Sequence, residues 1–273
     1  MANPQMGRLV LCADDFAMSA GVSRTILKLA RAGKLNATSC MAISPRWPDD
    51  AALLASLPQS IAIGLHLVLT DETPLTAMGR LAPSGRLPSA DRLSRIAMLR
   101  RLPREEISAE VRAQFDRFEQ AVGRPPSFVD GHQHAHFLPG IRDIVIAETA
   151  RRAPAAWLRT CEDRVGRILR RPFRLKALVN AFQSAGVARE AARAGLRTND
   201  SFSGLYDFEA PYAELFPQFV TGGGKFHLVI CHPGDGESDG DPIAPARQRE
   251  AAALRTLPVR ELARDNGLEF GGN

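Results

Sequence analysis

The amino-acid sequence predicts an α/β fold of a single domain, a distorted (β/α) barrel. Short apolar runs recur along the chain with helical stretches between them, and this alternation is typical of parallel βαβ units. Six or seven such runs favour a barrel, complete or distorted, over an open sheet. The 273 residues contain no internal repeat, low-complexity tract or Gly/Ser linker that would divide them, so we expect one domain over residues 1–273.

The first apolar run, at residues 9–13, is short and stops at two aspartates, as a buried strand does. The other strand-like runs lie at 39–43, 61–69, 128–130, 156–159 and 227–231. Helices are predicted between them at about 21–32, 49–57, 104–122 and 140–152. Two longer segments, 70–87 and 232–245, follow strands. In a barrel both belong on the carboxyl-terminal rim, where active sites are built.

The composition is that of a globular chain, with 45% hydrophobic and 24% charged residues. No apolar stretch approaches the roughly 18 residues that span a bilayer, and the first apolar run is too short for a signal-peptide core. The sequence therefore predicts a cytoplasmic protein. Its four cysteines are widely separated and form no Cys-x-x-Cys pair, so we expect reduced, buried thiols.

The net charge of +5 is concentrated in one segment, because residues 151–197 carry 12 Lys/Arg against three acidic residues. Within a basic helical insert at about 160–197, apolar residues alternate with basic ones as in an interfacial helix, although Pro172 must interrupt it. The basic members are Arg164, Arg167, Arg170, Arg171, Arg174 and Lys176. Either the insert is simply solvated, or it borders the active site and contacts anionic lipid. We expect no nucleic-acid partner, since only two Trp and two Tyr are available for base stacking.

Polar residues with metal-binding chemistry cluster at the ends of the predicted strands. All six histidines lie in or beside strand-like runs: His66, His132, His134, His136, His227 and His232. Asp14 and Asp15 end the first strand, where two carboxylates are costly unless a cation compensates them. One carboxylate and two imidazoles suit a catalytic divalent metal with open coordination positions. Alone, each motif also fits a solvated turn or, for the Asp pair, a helix N-cap; together they favour a site.

Four ordered motifs carry a family resemblance. They are Leu-Cys-Ala-Asp-Asp-Phe at 11–16, Gly-Leu-His-Leu at 64–67, Asp-Gly-His-Gln-His-Ala-His at 130–136 and Cys-His-Pro-Gly at 231–234. The set resembles the YdjC family of carbohydrate deacetylases, which includes chitooligosaccharide deacetylases. A further run, Thr198-Asn199-Asp200 with Phe202, Gly204, Tyr206, Asp207 and Phe208, resembles the branch associated with hopanoid biosynthesis. The chain departs from the family at Ala17, where Gly is usual; a side chain there is strained if φ is positive.

The resemblance implies a barrel related to polysaccharide deacetylases and a metal bound by Asp15, His66 and His132. Magnesium is the ion commonly assigned in this family, whereas two imidazoles favour zinc, cobalt or nickel, so the expected cofactor is one divalent ion, Mg²⁺ or Zn²⁺. The implied reaction removes the N-acetyl group from an N-acetylglucosamine-containing glycoconjugate. A glycosyl hopanoid lipid is the leading substrate, which would place the protein peripherally at the inner membrane. A chitooligosaccharide deacetylase and a catalytically silent metal- and sugar-binding protein are the alternatives.

The same resemblance gives catalytic roles. Asp14 is expected to be the general base and His232 the general acid. Arg159, at the end of a strand, is expected to pair with Asp14 and keep it ionised, unless it forms only a surface salt bridge. His134 and His136 are expected to orient ligands or contact substrate.

Three expectations concern the remaining residues. An extended His-x-His run directs its imidazoles to one side, so His134 or His136 could replace His132 as the ligand. His227 and Cys231, inside the last recognised strand, are expected to be core residues. Homodimers are common for proteins of this size, although no pattern marks an interface.

Overall fold

Parallel strands occupy the centre of the computed structural model, which describes residues 6–170, 172–236 and 240–271. All the strand pairings within that part of the chain are parallel. The strands are β1 (Gly7–Phe16), β2 (Ala37–Cys40), β3 (Ala62–Leu67), β4 (Phe128–Gly131), β5 (Trp157–Leu158), β6 (Arg197–Thr198), β7 (Ser201–Ser203), β8 (Phe226–Cys231) and β9 (Leu268–Glu269).

Helices connect most of the strands, as βαβ units require. They are α1 (Ala20–Arg31), α2 (Trp47–Leu53), α3 (Ala90–Met98), α4 (Arg104–Val122), α5 (Arg142–Arg152), α6 (Val165–Ile168), α7 (Arg174–Gln183), α8 (Val187–Arg193), α9 (Tyr212–Val220), α10 (Ala244–Thr256) and α11 (Val259–Asp265). Two 3₁₀ segments lie at Leu54–Ser56 and His132–Phe137. No helix among the described residues is both long and apolar enough to cross a bilayer.

The sheet curls because its two edge strands are consecutive in the chain. The strand order is β6-β5-β4-β3-β2-β1-β8-β7, with β9 paired to the start of β1. Only Asn199 and Asp200 separate β6 from β7, so the two edges meet there. The side-chain amide of Asn199 donates to the carbonyl of Thr160 at 2.8 Å and its oxygen accepts from the Thr160 N–H at 2.8 Å. The predicted α/β, barrel-like fold class is confirmed.

Several predicted boundaries shift for identifiable reasons. The strand predicted at 61–69 ends at Leu67, because the Gln114 side chain takes both the N–H and the carbonyl of Val68, at 2.9 and 2.7 Å. The strand predicted at 39–43 ends at Cys40, which pairs with Phe16. Helix α4 has the predicted bounds and is followed by its C-cap, Gly123, whose φ of 74° is left-handed.

The basic segment forms short helices instead of one amphipathic helix. Pro172 lies between α6 and α7, and Phe173 follows with a left-handed φ of 55°. Arg171 lies outside the described residues. Helix α7 has no buried residue, so its apolar side chains contribute little to the core of the barrel.

Candidate active site

Strand register brings the polar motifs to one end of the sheet. Because Ala13 of β1 pairs with Cys231, the last residue of β8, the residues that follow them, Asp14 and His232, are neighbours at this end of the sheet. His66 pairs directly with Asp130 across β3 and β4. Because the carboxyl ends of parallel strands share one edge, these side chains converge.

A bulge turns both aspartates of β1 towards the same cavity. Successive residues of a regular strand point to opposite faces. Between Ala13 and Phe16, however, β1 carries an extra residue relative to β2, and Asp15 has a φ of 69°. Asp14 and Asp15 therefore both line the cavity, although each is almost fully buried. The N-cap of α1 is Ser19, which accepts from the Val22 N–H, so the N-cap interpretation of the aspartates is wrong.

Asp15, His66 and His132 form a compact donor set. Their ligand atoms all lie within 4.8 Å of one another. Oδ1 of Asp15 lies 3.2 Å from His66 Nε2 and 3.0 Å from His132 Nδ1. One carboxylate and two imidazoles at this spacing fit a divalent ion that keeps open positions.

Asp130 fixes the orientation of His66. The His66 Nδ1–H donates to Asp130 Oδ1 at 2.6 Å, which turns Nε2 towards Asp15, and the Ser39 hydroxyl also donates to Asp130. Burial lowers the pKa of His66, but the carboxylates of Asp130 and Asp15 raise it by more than burial lowers it, to about 10. The site therefore attracts positive charge.

Arg159 forms ion pairs with two buried carboxylates at once. Its NH1 and NH2 lie 2.6 Å from the two oxygens of Asp14, and NH2 lies 2.5 Å from Asp130 Oδ2. Burial raises the pKa of Asp14, but the charge and hydrogen bonds of Arg159 more than offset it and hold that pKa well below its usual range. Cys12, Asp14 and Asp130 also form a potential metal-binding group; the guanidinium already supplies its cation.

Arg247 holds the second oxygen of Asp15. It lies on α10, where its NH2 is 2.8 Å from Asp15 Oδ2 and its Nε is 2.5 Å from Asp241 Oδ2. Burial raises the pKa of Asp15, whereas Arg247 and His132 lower it well below its usual range. Oδ1 of Asp15 thus faces the imidazoles while Oδ2 is engaged.

His232 lines the cavity beside Asp14. Its Nε2 is 4.0 Å from Asp14 Oδ2, its backbone N–H donates to Glu250, and its ring contacts Phe208 edge-on at 5.4 Å between centroids. Burial lowers the pKa of His232 to about 4, so the imidazole is neutral at neutral pH.

The His-x-His run is not extended, so the condition under which its three imidazoles would share one side is not met. Residues His132–Phe137 form a 3₁₀ segment in which Gln133 and His134 have left-handed φ values of 51° and 57°. His132 and His134 line the cavity, whereas His136 is buried away from it with Nε2 3.4 Å from the Arg159 carbonyl. Burial lowers the pKa of His134 to about 3, so it is a neutral hydrogen-bonding group.

The cavity has a volume of about 370 Å³, with a polar floor and largely apolar walls. Its apolar lining includes Met18, Leu205, Phe208, Ile230, Pro242 and Ile243. Lys176 and Asn180 of α7 line it too. The sequence placed Lys176 in the basic segment but identified neither Asn180 nor Arg247 as a site residue. It also gave Asp130 no role, because the pairing of Asp130 with His66 depends on the strand register.

Three expectations about neighbouring residues are confirmed. His227 is a fully buried core residue whose Nδ1 lies 2.9 Å from the Ser201 hydroxyl and whose Nε2 lies 2.8 Å from the Phe219 carbonyl. All four cysteines are free and buried. Ala17 has a φ of 73°, the conformation in which a side chain is strained.

A curled parallel sheet that carries a carboxylate–imidazole cluster at its carboxyl ends defines an α/β-barrel protein with a candidate metal centre. The chain belongs to the YdjC-like protein family, whose model matches residues 8–265.

Similar proteins span nearly the whole chain. A chitooligosaccharide deacetylase from Klebsiella pneumoniae (strain 342) is 28% identical over 265 residues, covering 96% of each chain. One from Citrobacter koseri is 31% identical over 229 residues, covering 82% of this chain and 81% of its own. A solved structure from Enterococcus faecalis V583, assigned to cellobiose-phosphate cleavage, aligns over 98% of this chain and 97% of its own, with a TM-score of 0.72 and 20% identity. That likeness supports the fold alone.

Proposed function

We propose that the protein is a metal-dependent hydrolase that removes the N-acetyl group from an N-acetylglucosamine-containing glycoconjugate. The observation that carries the proposal is the donor set of Asp15, His66 and His132 beside Asp14, itself held by Arg159. The relatives named chitooligosaccharide deacetylases support the carbohydrate and the N-acetyl group as substrate class.

Asp15, His66 and His132 would hold one divalent ion, Mg²⁺ or Zn²⁺. When bound, that ion supplies Lewis-acid chemistry: it polarises the amide carbonyl and lowers the pKa of a water molecule. Arg247 and Asp130 keep two of these three ligands in place. We propose the same outer-sphere function for both residues, namely ligand orientation.

Asp14 is the proposed general base and His232 the proposed general acid. Arg159 keeps Asp14 ionised, so the carboxylate is ready to take a proton from water. His232 is neutral before the reaction and must gain a proton before it can protonate the departing amine. In the proposed reaction, Asp14 passes to His232 the proton that it has taken from water; side-chain movement must first shorten the 4.0 Å between Asp14 Oδ2 and His232 Nε2. Substrate contact is assigned to His134, since His136 does not line the cavity.

The proposed substrate is a glycosyl hopanoid lipid, and the proposed location is the cytoplasmic side of the inner membrane. The polar floor offers partners for a sugar, and the apolar walls suit an adjoining apolar aglycone. A soluble chitooligosaccharide is the second candidate, favoured by the names of the relatives.

Acetate release tests both candidates in parallel. Metal-loaded wild type and Asp14→Asn are incubated with N-acetylglucosaminyl hopanoid and with diacetylchitobiose. Release from the lipid alone, lost in the variant, is the expected result. Release from the soluble sugar alone moves the protein to the chitooligosaccharide group. Release from neither, with the metal bound, refutes hydrolysis and leaves a silent metal- and sugar-binding protein.

A further inference from the structure

Exposed apolar side chains concentrate on one short segment beside the active-site cavity. Of the nine large hydrophobic side chains exposed in the described residues, five lie between 165 and 182. They are Val165, Leu169, Leu175, Val179 and Phe182, and are called the apolar face below. Leu175 is 74% exposed and Phe182 81% exposed. Such clustering marks an interaction site, whereas scattered exposed residues do not.

Helix α7 joins the apolar face to the mouth of the cavity. Leu175, Val179 and Phe182 stand at i, i+4 and i+7, which places them on one stripe of the helix. Lys176 and Asn180 form the adjacent stripe and line the cavity. Lys176 Nζ donates to the Tyr206 carbonyl at 2.6 Å, which fastens α7 to the cavity wall. A surface that receives the apolar face therefore lies next to the cavity entrance.

The segment that carries the apolar face is rich in positive charge, although Asp163, just before it, pairs with Arg167 at 3.3 Å. Residues 164–183 contain six Arg or Lys and no Asp or Glu. Arg167 and Arg170 also line a separate cleft of about 470 Å³ with Gly222 and Gly223. Two guanidinium groups that line one cleft are suited to a phosphate headgroup.

We propose that this segment docks on a bilayer of anionic phospholipid. The apolar face enters the lipid, Arg167 and Arg170 bind headgroup phosphates, and the cavity mouth faces the membrane surface. The inference deepens the proposed function, because a lipid-linked sugar would reach the cavity from the membrane side. The delivery of a lipid substrate rests on the proposed function, whereas membrane docking does not.

A second copy of the chain is a poor occupant of the apolar face. A two-fold interface places the same patch of each copy against the other. Here that would bring two sets of six cations together without a facing carboxylate from either segment, and like charges across an interface cost affinity. An anionic bilayer supplies the opposite charge and an apolar phase together.

Vesicle co-sedimentation tests the docking. Wild type, Leu175→Ser/Val179→Ser/Phe182→Ser and Arg167→Glu/Arg170→Glu are mixed with vesicles of phosphatidylcholine, with or without phosphatidylglycerol. Met98→Ser/Leu99→Ser, also exposed and apolar, and Arg92→Glu/Arg95→Glu are the matched controls. Wild type should bind the anionic vesicles, less so as salt rises. The triple Ser variant and the Arg pair variant should each bind at least roughly tenfold more weakly, and both controls should bind as wild type does.

Each remaining outcome is decisive. Binding of the triple Ser variant equal to that of wild type overturns the proposal, as does absence of wild-type binding. A wild-type dimer by light scattering that the triple Ser variant makes monomeric reassigns the face to self-association and also overturns it. Acetate release from diacetylchitobiose is measured alongside and should not change in these variants. Vesicle binding without acetate release from either candidate substrate rejects the proposed hydrolase activity and supports membrane docking. Acetate release without vesicle binding supports the hydrolase activity and rejects membrane docking.

Discussion

Asp130→Asn isolates the contribution of a carboxylate that touches no substrate-facing surface. Asp130 is fully buried and contacts His66 Nδ1 at 2.6 Å and Arg159 at 2.5 Å. The amide keeps the shape and removes the charge. The loss of a hydrogen bond to a charged group should cost about 1.5–3 kcal/mol of stability. The cost is no larger because Arg159 retains both of its contacts to Asp14. Affinity for Zn²⁺ should fall about 10–100-fold, since the carboxylate orients His66 and raises its basicity.

Titration calorimetry with Zn²⁺ and denaturant unfolding measure the two effects separately. The control is Asp50→Asn, another buried carboxylate, which contacts the Ser23 hydroxyl at 2.7 Å and Arg46 at 3.0 Å on the α2 side of the fold. It should lose stability without losing metal affinity. If Asp130→Asn binds Zn²⁺ as wild type does, the assignment of Asp130 as the group that orients His66 is wrong.

Three further substitutions test the backbone and the electrostatics of the barrel. Ala17→Gly should raise the unfolding free energy by roughly 0.5–1 kcal/mol, because Ala17 has a φ of 73°; a lower melting temperature would contradict this. Gly64→Ala should destabilise by about 1–3 kcal/mol, because the new Cβ would meet the Phe128 ring at 2.3 Å. Gly79→Ala should not, because among the described residues the new Cβ would meet only its own chain neighbours within 4 Å. Burial raises the pKa of Glu250 from 4.5 to about 7, so the folded state binds the proton more tightly than the unfolded state. The free energy of unfolding of the wild type should therefore fall by roughly 2–3 kcal/mol as the pH rises from 4.5, the pKa in the unfolded state, through 7. Glu250→Gln should remove that part of the pH dependence, and denaturant midpoints from pH 4 to 8 that change equally in both proteins would refute it.

The sequence was most informative where chemistry and strand ends coincide. The key polar residues lie in or at the ends of recognisable apolar runs: Asp14, Asp15, His66, His132 and His232. Parallel strand topology therefore predicted that these carboxylates and imidazoles converge on one rim. The paired roles of the carboxylates did not follow, because they depend on a bulge in β1 that no local pattern marks. Without the bulge, the regular alternation of a strand would point the side chains of Asp14 and Asp15 to opposite faces of the sheet.

Residues that act from distant elements escaped prediction. Arg247 reaches Asp15 from α10, 232 positions away, and its helix follows a loop whose path depends on tertiary packing. Strands as short as β6, β7 and β9 contain too few residues for periodicity to register. The sequence could not show whether the His-x-His run is extended, because two consecutive left-handed residues, Gln133 and His134, are uncommon and depend on their tertiary surroundings.

The connected charges at the strand ends indicate the valence of the ion that the site suits. Asp14, Asp15, Asp130 and Asp241 are joined through Arg159 and Arg247 by ion pairs, all six side chains being nearly inaccessible. Four carboxylates and two guanidinium groups leave a net charge of −2, which is costly to bury. A proton on His66, whose pKa is raised to about 10, compensates only half of it. A divalent cation between Asp15, His66 and His132 compensates all of it and must displace that proton. Metal binding at neutral pH should therefore release close to one proton, seen as a binding enthalpy that depends on the ionisation enthalpy of the buffer; a buffer-independent enthalpy would show that His66 is already neutral and that the charge balance lies elsewhere.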